Sequence, residues 1–123
     1  MPQKILLVDD SPTVLKILSM GLCQNGYVVN TAGDGLEALS MLGQTKYDIL
    51  ITDINMPKMD GFTLIRTVRS LKRYKGILII ALSTESAPFD QEAGRRAGVD
   101  QYLTKPVSMD HLIKEIKDLN QKR

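Results

Sequence analysis

Two adjacent acids, Asp9 and Asp10, end the apolar run Ile5-Leu6-Leu7-Val8, and a third, Asp53, ends a second run, Ile49-Leu50-Ile51-Thr52. Short apolar runs between polar segments read as buried parallel strands. In an open parallel sheet the ligand site lies beyond the carboxyl ends of the strands. Three carboxylates gathered at one sheet edge repel one another unless a cation joins them. Oxygen donors of that kind suit a hard divalent ion such as Mg²⁺. Ser83 and Lys105 fall at the ends of two further short runs. Ser83 taken alone reads as a strand-end cap, and Lys105 alone as a solvated lysine. Together the five groups are equipment for a phosphoryl group: a metal to clamp oxygens, an ammonium and a hydroxyl to meet them, and a carboxylate nucleophile.

The elements that must carry these groups alternate strictly. Strand one is expected at about Lys4–Val8, with Ser11 as N-cap and Pro12 at the first position of helix one. Val14, Ile17, Leu18, Gly21 and Leu22 recur on one helical face, and Asn25-Gly26 stops the helix. Cys23 falls on the apolar side and reads as a core residue. Strand two is expected at Tyr27–Thr31, a Gly33-Asp34-Gly35 turn follows, and helix two runs to about Leu42. After strand three (Ile49–Thr52), Asn55-Met56-Pro57 is a loop and Asp60 caps helix three, whose apolar face is Leu64, Ile65, Val68 and Leu71. Strand four is expected at Ile77–Leu82, helix four at Phe89–Ala97 with Gly98 ending it, and strand five at Gln101–Leu103. Helix five carries Leu112, Ile113, Ile116 and Leu119. Five strand–helix repeats imply an α/β fold, a five-stranded parallel sheet with helices on both faces.

Composition narrows the class. The 123 residues make one domain, 1–123, with no attached output domain expected. Apolar content of 43% and charged content of 24% are those of a soluble globular chain, and 5% aromatics imply an aliphatic core. A net charge of +2 argues neither for nucleic acid nor for a membrane surface. A lone cysteine rules out an intrachain disulfide. No run approaches the ~20 residues that span a bilayer, and no leader precedes strand one, so a cytoplasmic location is expected. The cations at Arg69, Lys72, Arg73, Lys75, Arg95 and Arg96 read as a solvated face, and the lone His111 as a surface or packing residue.

The motifs ILLVDDS (5–11), Ala32-Gly33-Asp34-Gly35 with Glu37-Ala38-Leu39, DILITDINMPKMDG (48–61), Ala81-Leu82-Ser83, Ala97-Gly98-Val99-Asp100 and Tyr102-Leu103-Thr104-Lys105-Pro106 carry a resemblance. The chain resembles a receiver domain of bacterial two-component response regulators, most closely the stand-alone CheY-like kind, over residues 3–121. The resemblance implies the flavodoxin-like strand order 2-1-3-4-5. It implies that Asp53 is the phosphoacceptor, taking phosphate from a sensor histidine kinase or a histidine phosphotransfer protein. It implies Mg²⁺, for which Mn²⁺ can substitute, held by Asp10, Asp53 and the carbonyl of Asn55, with Asp9 acting mainly through water. Lys105 would pair with the phosphoryl group, Ser83 would move to meet an oxygen of it, and Tyr102 would turn inward into the space left. The Lys105–Pro106 peptide would be cis.

Other positions bear on rate. Asn55 and Glu85 would flank the path of attacking water, a polar pair similar to that of chemotaxis regulators with short-lived phosphorylation. Thr84, larger than the Ala or Gly often found there, would slow access. Val107 stands where the family commonly has Phe and should leave the packing smaller. The surface of helix four, strand five and helix five would bind an output protein or a phosphatase, with no direct DNA or membrane binding. The implied role is a switch in chemotaxis or motility and not an enzyme, beyond catalysing its own phosphotransfer and dephosphorylation. A phosphorelay shuttle and a phosphorylation-independent binding module are the alternatives. An aspartyl-phosphate hydrolase would need an acid two residues after the nucleophile, where Asn55 stands. A flavin module would need a phosphate-cradling loop after strand one, where Asp9-Asp10 would repel phosphate.

Overall fold

The computed structural model describes residues 2–84 and 88–122, giving only the backbone path for 88–91. Its elements are β1 (Lys4–Val8), α1 (Pro12–Gln24), β2 (Val28–Ala32), α2 (Gly35–Gln44), β3 (Ile49–Asp53) and α3 (Gly61–Ser70), then β4 (Leu78–Ser83), α4 (Pro88–Ala97), β5 (Gln101–Thr104) and α5 (Met109–Gln121). A single 3₁₀ turn, Lys72–Tyr74, lies between α3 and β4 and was not legible in the pattern. All pairings are parallel and the order is β2-β1-β3-β4-β5, as the resemblance implied.

The continuous apolar strands are explained by burial on both sides. In β1, Leu6 and Val8 join Leu50, Ile79 and Ala81 in one core layer under α2, α3 and α4. Ile5 and Leu7 join Ile49, Ile51, Leu78 and Ile80 in the other, under α1 and α5. The register aligns these sets, Ile5 with Ile49 with Leu78 and Leu6 with Leu50 with Ile79. Side chains alternate across a strand, so each row of three feeds one layer.

Helix starts follow the expected chemistry. Ser11 caps α1 by accepting from the Val14 amide, Asp60 caps α3 through the Thr63 amide, and Ser108 caps α5 through the His111 amide. Gly26 and Gly98, just past α1 and α4, adopt φ of 93° and 107°, a region open to glycine. Strand ends differ from the expected ones by about one residue, and Gly35 is the first residue of α2 rather than part of the preceding turn.

Three residues expected on buried helix faces are exposed. Ile17 is 62% exposed although it lies on the predicted apolar face. Its row on α1 continues to Gly21, which meets Met109 at the start of α5. One turn earlier there is no α5 to meet, only Pro106 and the short Val107, and a groove of about 400 Å³ remains between them. Leu71, also expected in a core face, ends α3 and is 38% exposed. Cys23 is exposed, one step round the helix from the fully buried Leu22.

Arg69 was read as part of a solvated face and is instead a clasp. It donates to the carbonyls of Ile77 (2.7 Å) and Gly98 (2.9 Å) and pairs with Asp100 at 2.8 Å. The same Asp100 oxygen accepts from the Ile79 amide at 2.8 Å. The C-terminal ends of α3 and α4 are thereby tied to the start of β4.

Candidate functional site

The register that builds the core also builds the site. Val8 pairs with Thr52 and Asp53 with Leu82, so the residue after β1, Asp9, lies level with Asp53. Ser83 pairs with Thr104, which sets Lys105 just beyond the edge. A backbone bond from the Lys105 amide to the Ser83 carbonyl, 2.7 Å, joins those two strand ends.

Asp9, Asp10 and Asp53 each offer a carboxylate oxygen within 4.8 Å of the others. Asp9 and Asp53 are buried, at 2% and 6% exposure, whereas Asp10 faces solvent. Lys105 Nζ donates to Asp9 Oδ2 at 2.7 Å and stands 3.5 Å from Asp53 Oδ1. The other Asp9 oxygen accepts from the Ser11 amide at 2.9 Å. Burial pushes the Asp53 carboxyl above its ordinary value. The Lys105 charge opposes that shift, and the Asp9 charge adds to it. Burial alone would lower the Lys105 ammonium, yet its hydrogen bond to Asp9 and the charges of Asp53 and Asp9 carry it above its ordinary value.

Three carboxylates face one ammonium, so the cluster is short of positive charge. All its anionic donors are hard oxygens, and one of the acids, Asp10, remains open to solvent. A divalent cation with a preference for oxygen and retained water fits that donor set.

Other expected site residues are found as follows. Ser83 is buried at the end of β4, and Thr84 after it is exposed. Tyr102 is half-buried on β5 against the α2–α3–α4 layer, at the level of Ala81 and so set back from the acids. Asn55 is exposed, two residues past Asp53. The Lys105–Pro106 peptide is cis. Glu85 lies outside the described residues.

A family model for the response regulator receiver domain matches residues 5–117. The chain belongs to this family. Among curated proteins it is similar to protein PilG of Pseudomonas aeruginosa, 37% identical over 93% of this chain and 84% of that protein. It is also similar to the transcriptional regulatory protein PrrA of Mycobacterium leprae, 38% identical over 98% of this chain. The receiver spans about half of PrrA, 51% of its length. Among solved structures the chemotaxis response regulator CheY4 of Vibrio cholerae superposes with a TM-score of 0.91 at 36% identity, covering 96% of this chain and 98% of that one. The BeF3-activated DrrB receiver domain superposes with a TM-score of 0.89 at 26% identity, covering 98% and 99%. A receiver domain is a signalling module, and the acidic triad of this one is of the Mg²⁺-binding type.

Sequence reasoning missed what supports the receiver's site from beneath. Asp60-Gly61 begins α3, and a Cβ added at Gly61 would lie 2.7 Å from the Cα of Ile54, the residue after Asp53. The obstacle is backbone and cannot rotate away. Gly61→Ala should cost about 2 kcal/mol or more, as over-packing against fixed atoms does. Urea denaturation would check it, and an unchanged midpoint would show that α3 can slide. The signal was present as a glycine at a helix start, where alanine is the better helix former.

Proposed function

We propose that the chain is a phosphorylation-controlled switch whose acceptor is Asp53. The observation that carries the reading is Lys105, held between a buried Asp9 and the Asp53 carboxylate. A carboxylate oxygen of Asp53 attacks phosphorus of a phosphohistidine on a histidine kinase or phosphotransfer protein. The O–P bond forms as the P–N bond breaks, and the leaving imidazole takes up a proton from solvent. Asp10, Asp53 and the Asn55 carbonyl would hold Mg²⁺, with Asp9 supporting the same ion, and the metal would supply charge neutralisation to the transferring phosphoryl group.

The product carries roughly −1.5 to −2 charges. Lys105 then turns from Asp9 toward a phosphoryl oxygen, and the Ser83 hydroxyl donates to another. Motion at the end of β4 reaches Tyr102 and the α4–β5–α5 surface, where an output protein or phosphatase binds. Asn55, Thr84 and Glu85 set how long the phosphoryl group lasts. Likeness to CheY4, a chemotaxis regulator, supports a role in chemotaxis or a related motility system.

Intact mass after exposure to acetyl phosphate, with and without Mg²⁺, tests the reading. A single phosphoryl adduct that requires Mg²⁺ is expected. Asp10→Ala should weaken Mg²⁺ binding, read by calorimetry, and unchanged affinity would remove it from the ligand set. No adduct under any condition would leave a phosphorylation-independent binding module.

A further inference from the structure

Two helices of this receiver begin with the same pair, Asp34-Gly35 and Asp60-Gly61, with the aspartate as N-cap and the glycine as first helical residue. Neither glycine has a positive φ, so the backbone does not demand it. Alanine would improve the helix at either site by up to about 1 kcal/mol. The requirement at Gly35 is a close approach. A Cβ there would stand 2.9 Å from the Cβ and 3.0 Å from the Cγ of Met59, in the loop between β3 and α3. At Gly21 the clash is with the outer atoms of Met109, which a rotamer change relieves. At Gly35 it is with a Cβ, whose place is set by the backbone, so the loop or the helix must move.

A second contact joins the same two segments. Lys58 sits at φ 69°, a region few non-glycine residues adopt, and its Nζ lies 3.4 Å from Asp34 Oδ2. Asp34 also caps α2 by accepting from the Glu37 amide at 2.8 Å. The loop that rests on this turn is short and closed. The Gly61 amide donates to the Ile54 carbonyl at 2.8 Å, and the Met59 amide to the Pro57 carbonyl at 2.7 Å. The loop carrying Met59 is therefore anchored at Ile54, which lies between Asp53 and Asn55 in the chain.

We propose that the first turn of α2 is an abutment for the phosphoacceptor loop, and that Gly35 and Lys58 are positioning residues for the Mg²⁺ ligands at Asp53 and Asn55. The proposal rests on the reading of the acidic cluster as a Mg²⁺ site.

Calorimetric titration of the full chain with Mg²⁺ tests it, with thermal melting in the absence of metal as a separate record of folding. Gly35→Ala should bind Mg²⁺ about 10-fold more weakly, the scale of a lost outer support at a metal site. Met59→Gly removes the opposing Cβ, so Gly35→Ala with Met59→Gly should bind no more weakly than Met59→Gly alone. That rescue would not follow from a general loss of stability. Lys58→Gly relieves the φ and removes the ion pair, and should weaken binding roughly twofold at low salt. Wild-type affinity in Gly35→Ala, or a double variant weaker than Met59→Gly alone, overturns the abutment and leaves the Mg²⁺ site standing. A wild type that binds no Mg²⁺ overturns both. Should Gly35→Ala not fold, Lys58→Gly decides: weakened binding supports the abutment, and unchanged binding rejects it.

Discussion

Asp53→Ala is expected to abolish the phosphoryl adduct altogether, with mass after acetyl phosphate and Mg²⁺ identical to that of the untreated chain. Asp10 is exposed and Asp9 is committed to Lys105 and the Ser11 amide, so neither is an equivalent substitute. Stoichiometric labelling of the variant would reject Asp53 as acceptor. The same residue has an opposite effect on stability. Its folded-state pKa is raised above 3.8, chiefly by burial. The stability linked to this group is present in full below 3.8 and is lost as pH rises through the folded value. Above its folded-state value the ionised carboxylate therefore works against the metal-free fold. Asp53→Asn, which keeps the shape and removes the charge, should raise Tm at pH 7 in the absence of metal. The gain should vanish near pH 3, where the wild type is protonated too. Equal melting at pH 7 would show that Lys105 fully compensates the buried charge.

Lys105→Met should be the most destabilising change at the site in the absence of metal. The methionine keeps most of the apolar stem, so the loss is that of the ammonium. Asp9, 2% exposed, would be left as a buried carboxylate with its Ser11 amide bond alone. Breaking one side of a buried pair costs about 3–5 kcal/mol. The partial exposure of Lys105 puts the expectation at the lower end. The Lys105 pKa is raised above 10.5, so this stability is complete below 10.5 and is lost as pH rises through the folded value. The difference from wild type should thus be full at pH 7 and shrink only in strong alkali. Saturating Mg²⁺ should return a share, roughly 2.7 kcal/mol at 100 times Kd, because an ion bound only to the folded state stabilises it by mass action. Urea denaturation with and without Mg²⁺ measures both quantities, and an unchanged midpoint without metal would deny Lys105 its role. The variant should still accept phosphate on Asp53, while the NMR signals of Tyr102 should no longer respond. A normal Tyr102 response would mean that the signal bypasses Lys105.

The candidate site was legible because its members sit at the ends of apolar runs. A run of four or five Ile, Leu and Val residues names a buried strand, and the polar residue that ends it must face the sheet edge. Asp9, Asp53, Ser83 and Lys105 were found by that reasoning, and the parallel register brings them level. Helix caps at Ser11 and Asp60 were legible for a similar reason, since a cap acts over three residues of one chain segment. Arg69 was not legible. Its partners, Ile77, Gly98 and Asp100, arrive from other elements, and nothing in its own segment distinguishes it from the exposed Lys72 and Arg73.

By itself, then, the sequence determined the element order, the α/β class and the acids, hydroxyl and lysine that end the strands. Those depend on period, capping and turn chemistry, which act within a few residues. Only the tertiary structure decided which row of each strand faces which layer, because a uniformly apolar strand carries no alternation to read. Only it showed Ile17 stranded beyond the start of α5, Lys105 bound to Asp9 rather than solvated, and Met59 pressed against Gly35. Each is a meeting of segments distant along the chain. Its geometry follows from how helices settle on a twisted sheet, which no local pattern encodes.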